Sequence, residues 1–160
     1  MLFVRLLTRL GLILLALIAF SAAGQDPELA AKIYAKASSS VLLILVKSPS
    51  GDILAQGTGF LVDGGRIVTN EHVVEGGNPV IDVGGARTPA TVQCADIFND
   101  VAILTTSADL GGKALALAEK IPAPGSSVFA IGNPRGLEKS ISTGVIAAIR
   151  QVGKRLLTVI

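Results

Sequence analysis

The chain has 160 residues, with 14 Lys and Arg, 12 Asp and Glu, one His, one Cys and no Trp. A single Cys excludes an intrachain disulfide, and one His with one distant Cys does not supply a zinc site. Aromatic residues make up only 4% and no basic stripe is present, which argues against nucleic acid as a partner.

Residues 1–23 are set apart from any fold. Arg5 and Arg9 form a positive start, Leu10 to Phe20 is an unbroken apolar run, and Ser21-Ala22-Ala23 offers small residues for cleavage. This is the layout of a secretory signal peptide. The run is short for a membrane span, which needs roughly 20 apolar residues. The alternative is an uncleaved N-terminal anchor, and signal or anchor is the only membrane route the sequence offers. No Cys lies nearby to carry a lipid. Export to a bacterial periplasm or cell envelope, or secretion, is therefore expected. Without Arg5 and Arg9 the basic residues fall to 12, matching the 12 acidic ones, so the remaining chain is near neutral. Residues 24–160 suffice for one ordinary domain.

Asp26-Pro27-Glu28 predicts a helix start, with Asp26 as cap, Pro27 at the first helical position and Glu28 favoured by the dipole. Leu29, Ile33 and Ala37 share one face of that short helix, and Ser38-Ser39-Ser40 ends it. From there the chain reads as β. Val41 to Lys47 and Ile53 to Val62 flank the turn cluster Pro49-Ser50-Gly51-Asp52 and predict a hairpin. Arg66 to Thr69 is a further short strand. Val80 to Val83 and Ala86 to Ala95 predict another hairpin around Gly84-Gly85, and Val101 to Thr105 follows Asp100 directly. Cys94 is expected there as a small buried hydrophobe. Residues 107–125 are looser, and Pro122 and Pro124 argue against a long helix. Ser127 to Ile131 and Ser140 to Ile149 predict strands around the turn Gly132-Asn133-Pro134-Arg135-Gly136. Gln151 to Lys154 is one more turn, and Leu156 to Ile160 begins a strand. Short strands with Gly-rich turns point to an antiparallel barrel or sandwich.

Taken alone, His72 is ordinarily a solvated or packed side chain, and Asp100 in Asn99-Asp100 is ordinary turn chemistry. Their surroundings say more. Gly57-Thr58-Gly59-Phe60 leads to Ile67-Val68-Thr69-Asn70-Glu71-His72, and then to Asn99-Asp100-Val101-Ala102-Ile103-Leu104. Ile131-Gly132-Asn133-Pro134 and Ser142-Thr143-Gly144-Val145 come later. This ordered series, over roughly residues 26–160, resembles the trypsin-like serine peptidases, and within them the bacterial HtrA (Deg) type.

The resemblance implies an all-β fold of two six-stranded antiparallel barrels, preceded here by a short helix. The first barrel would occupy about residues 38–106, and the opening strands of the second about 114–160. It also implies His72 as general base and Asp100 as the carboxylate that orients it. The family's nucleophile lies in a Gly-x-Ser-Gly-Gly segment, and none occurs in residues 1–160. Ser126, Ser127, Ser140 and Ser142 lack that glycine frame and read as turn or strand residues. A serine endopeptidase acting on exported or misfolded proteins is implied, with protein or peptide substrates, no cofactor and no metal. A homo-oligomer stays open, because residues 26–40 are too plain to decide it.

The chain is thus expected to be the N-terminal portion of a peptidase domain, inactive as it stands. A Cys in place of the nucleophilic Ser stays open. The alternative is a catalytically inactive barrel that binds a peptide or protein by strand addition.

Overall fold

Val41–Lys47, sequence VLLILVK, is nearly continuous in apolar residues, and such a run suits a strand covered on both faces. In the computed structural model, which describes residues 27–133, 139–152 and 155–159, this strand (β1) lies near the middle of a seven-stranded antiparallel sheet. The other members are β2 (Ile53–Val62), β3 (Arg66–Thr69), β4 (Asn78–Val83), β5 (Ala86–Pro89), β6 (Thr91–Asp96) and β7 (Val101–Thr105). Their order is β5-β4-β1-β2-β3-β7-β6. The signal-like stretch 1–23, the Asp26 cap, the turn Pro134-Arg135-Gly136 and residues 153–154 of the last predicted turn lie outside the described residues.

The two outer strands of this ladder, β5 and β6, are consecutive in the chain and parted only by Ala90. The Ala90 N–H donates to Pro79 O of β4 at 2.9 Å. The sheet therefore curls until its edges meet at one bend. Counted as one bent strand, matching the single run Ala86 to Ala95, β5 and β6 bring the sheet to the six strands that the resemblance implies for one barrel. The curl leaves β6 with a ladder partner on one side only, so the sheet is a half-barrel and not a closed one.

The core fills the inside of the curl. Ile44, Val46, Ile67, Ile81, Ala102 and Leu104 are fully buried, joined by Leu42, Leu61, Val73 and Val74. Cys94 departs from its expected burial: it is exposed, as is every residue of β6. This strand ends the ladder with a partner on one side only, and neither of its faces is covered, so the thiol meets solvent whichever way it points.

Before the sheet stand α1 (Pro27–Ala37) and a 3-10 turn, Ser38–Ser40. No residue of α1 is fully buried; Leu29 is exposed and Ile33 half-buried, so the shared face is only partly covered. Tyr34 ties the helix to the later chain, donating its hydroxyl to Lys139 O at 3.1 Å. Residues 107–125 form no helix and are pinned by the Leu115 N–H to Leu61 O at 2.9 Å and by Ser40 Oγ to Lys113 O. Then β8 (Ser127–Gly132) pairs with β9 (Ser140–Val145), and β10 (Ala148–Val152) with β11 (Arg155–Val159). Ile146, almost fully buried, divides the run predicted as one strand from Ser140 to Ile149.

Candidate active site

At Thr69 β3 ends, and Asn70, in extended conformation, leads into the one-turn helix α2, Glu71–Val74. Two adjacent valines in four residues make a poor isolated helix. Packing holds it: Val73 and Val74 are buried in the core, leaving His72 on the open side. Gly57 of β2 makes this seat possible. A Cβ there would lie 2.6 Å from both Val73 methyl carbons, closer than any side chain can approach.

Asp100 arrives from the other direction, at the end of the turn from β6 to β7. It is the non-glycine residue with positive φ among the described residues, at 55°, a conformation that Asp and Asn tolerate better than bulkier types. The turn before it is closed by Asp96, whose carboxylate accepts the Asn99 N–H at 3.0 Å and the Asn99 side-chain amide at 2.6 Å. This geometry directs the Asp100 carboxylate over the start of α2.

His72 and Asp100 meet there. His72 Nδ1 lies 2.9 Å from Asp100 Oδ1 and 2.8 Å from Oδ2. The main-chain N–H of His72 donates to Oδ1 at 3.0 Å. Asn70 Nδ2 donates to Oδ2 at 3.1 Å and to the Asp100 carbonyl oxygen at 3.1 Å. A nitrogen facing a carboxylate must carry the proton, so neutral His72 bears it on Nδ1 and leaves the Nε2 lone pair free. The side chains are open to solvent, 66% exposed for His72 and 44% for Asp100.

The carboxyl of Asp100 is held below its ordinary range, first by the main-chain N–H of His72. Partial desolvation opposes this; the imidazole hydrogen bond, its charge and the Asn70 amide reinforce it.

A second set of hydrogen bonds fixes the approach to the site. Buried Thr69 donates its hydroxyl to Thr58 O of β2 at 2.8 Å. Thr58 Oγ1 in turn accepts the Asn133 N–H, just past β8, at 2.9 Å. The Gly-Thr-Gly and Gly-Asn segments, separate in sequence, thus join through Thr58 and Asn133. Ser127, Ser140 and Ser142 lie within the β8–β9 ladder, and Ser126 directly before it. Among the described residues no three His, Cys, Asp or Glu side chains converge as metal ligands.

Sequence reasoning did not single out Asn70 or Thr58. An Asn before a short helix reads simply as a cap, and its partner here is 30 positions away.

Comparison with known proteins identifies the family of this fold. The pattern of the trypsin-like peptidase domain matches residues 57–159. The "Probable periplasmic serine endoprotease DegP-like" of Halomonas elongata is 38% identical over 99 residues, covering 59% of this chain and 21% of that protein. The serine endoprotease DegS of Escherichia coli K12 is 32% identical over 106 residues, covering 64% of this chain and 30% of its own length. The chain thus spans less than a third of either relative. Among solved structures, the Rv3671c protease of M. tuberculosis in its active form superposes with a TM-score of 0.71 at 28% identity, over 85% of this chain and 63% of that one. A family pattern covering most of the chain, relatives of the HtrA and Deg kind and a shared fold lead to one conclusion: this chain belongs to the trypsin-like peptidase domain family.

Proposed function

We propose that this domain supplies the base and its orienting carboxylate for a serine-type endopeptidase, with His72 as general base and Asp100 as orienter. The observation that carries the reading is the two-oxygen approach of Asp100 to His72 Nδ1, at 2.9 and 2.8 Å. A serine hydroxyl is a poor nucleophile until a base removes its proton. In this reading Nε2 takes that proton as the serine oxygen bonds to the substrate carbonyl carbon. The same nitrogen then protonates the leaving amine as the peptide bond breaks. Asp100 stays ionised throughout, fixing the tautomer and stabilising the imidazolium.

The reading extends to organisation and place. Residues about 38–106 form the first barrel, and about 114–160 contribute to the second. Residues 1–23 direct export, in keeping with the periplasmic description of the Halomonas relative. The substrates are proteins or peptides, as the endoprotease relatives suggest.

Casein hydrolysis tests this. The 160-residue chain alone, which lacks a Gly-x-Ser-Gly-Gly segment, is expected to turn over no casein. Turnover abolished by His72→Ala would reveal a nucleophile within residues 1–160 and refute the expected inactivity of this chain. In a longer product of the gene carrying that segment, His72→Ala and Asp100→Asn each remove most activity. Full activity in both variants would sink the proposal.

A further inference from the structure

We infer that Asn70 is a positioning residue of this site, clamping Asp100 by its carboxylate and its main-chain carbonyl together. The inference rests on the base-and-orienter reading of His72 and Asp100. Nothing in the family comparison assigns Asn70 a role.

Asn70 occupies the position that caps α2, where an Asn side-chain oxygen ordinarily accepts an N–H from the first turn. Here it makes no such bond. The N–H of His72, two residues on, is taken instead by Asp100 Oδ1 at 3.0 Å. Asp100 caps the helix from outside, and Asn70 turns its amide the other way. Its two acceptors are a carboxylate oxygen and a carbonyl oxygen, both at 3.1 Å. Only the NH2 end can satisfy both, and it has two hydrogens to do so.

Bonding both groups of one residue has a specific effect. Asp100 has φ 55°, an uncommon backbone conformation for a residue with a Cβ. The carbonyl bond holds that conformation, and the carboxylate bond holds the side-chain rotation. With the first fixed and the second free, Oδ2 could turn away from Nδ1. With both fixed, the carboxylate has one orientation, and the ring of His72 follows it.

Asn70→Asp and Asn70→Ala together separate this role from simple capping. Asp matches Asn in shape and caps helices as well as Asn does. It lacks the donor and places a second carboxylate against Asp100. Two such groups do not ionise independently, so one titration of the pair rises by more than about one pH unit. Asn70→Ala removes the amide alone and raises the Asp100 midpoint by less. The measurement is a carboxyl-carbon NMR titration of the full chain and of both variants, alongside thermal unfolding. A capping role alone predicts lost stability for Asn70→Ala with the Asp100 midpoint unmoved, whereas the rise in Asn70→Asp reports that the two side chains adjoin. Asp100 titrating identically in all three proteins would overturn the inference. If Asn70→Asp does not fold, Asn70→Ala alone decides. Absence of a proton on His72 Nδ1 in the unsubstituted chain would instead count against the base-and-orienter reading, leaving the Asn70 contact to be judged by its own shift.

Discussion

The Asp100 carboxylate engages His72 twice over, through the ring nitrogen with both oxygens and through the main-chain N–H with one. One residue thus orients the imidazole and caps the helix that carries it. Asp100→Asn disturbs both functions, because an amide NH2 must then face one of the donors now bonded to the carboxylate. We expect faster hydrogen exchange at the His72 amide in the variant chain. In a longer gene product with the nucleophile segment, we expect a loss in kcat of about 10^3 to 10^4. Unchanged exchange would show that the cap is not used.

The same contacts make stability depend on acid pH. Asp100 has a folded-state pKa below its ordinary value. Its stabilising contribution is therefore fully present above the unfolded value, about 3.9, and is lost as pH falls through the folded one. Urea midpoints measured between pH 2 and 6 should fall more steeply for the unsubstituted chain than for Asp100→Asn. Parallel curves would contradict the shift.

Gly57 and Val73 set the height of the helix above the sheet. Gly57→Ala places a methyl 2.6 Å from both Val73 methyl carbons, an overpacking that costs about 1–3 kcal/mol. Val73→Ala opens space at the same point. The double variant is expected to be more stable than the sum of the two single losses allows, as a double-mutant cycle by denaturant unfolding will show. Strict additivity would mean that the two residues do not press on each other.

Thr58 joins the sheet to the chain beyond β8 by accepting the Asn133 N–H. Thr58→Val keeps the shape and removes the acceptor. An N–H left without its partner costs about 1–3 kcal/mol where water cannot replace it. Faster amide exchange should concentrate in β8 and β9 rather than in β1 and β4. Uniform exchange would argue that other contacts hold the two parts together.

Much of this fold was legible in the sequence because its signals are local. The VLLILVK run announced a covered strand, and the Pro49 to Asp52 cluster a hairpin turn. His72 and Asp100 were legible as a pair through their flanking segments, and the structure brings them within 2.8 Å. What stayed hidden depends on distance across the fold. The exposure of Cys94 follows from the place of β6 at the uncovered end of the ladder, which no propensity records. The break at Ala90 follows from the curl of the whole sheet. The hold of Asn70 on Asp100 spans 30 residues and requires a positive φ that the sequence only permits.

The presence of a single His makes one measurement decisive, since every imidazole signal belongs to His72. Nitrogen-15 NMR of the full chain at neutral to alkaline pH reports which ring nitrogen carries the proton. The account predicts the proton on Nδ1, bonded to Asp100, with that preference lost in Asp100→Asn. A proton on Nε2 in the unsubstituted chain, or a tautomer indifferent to Asp100→Asn, would contradict it.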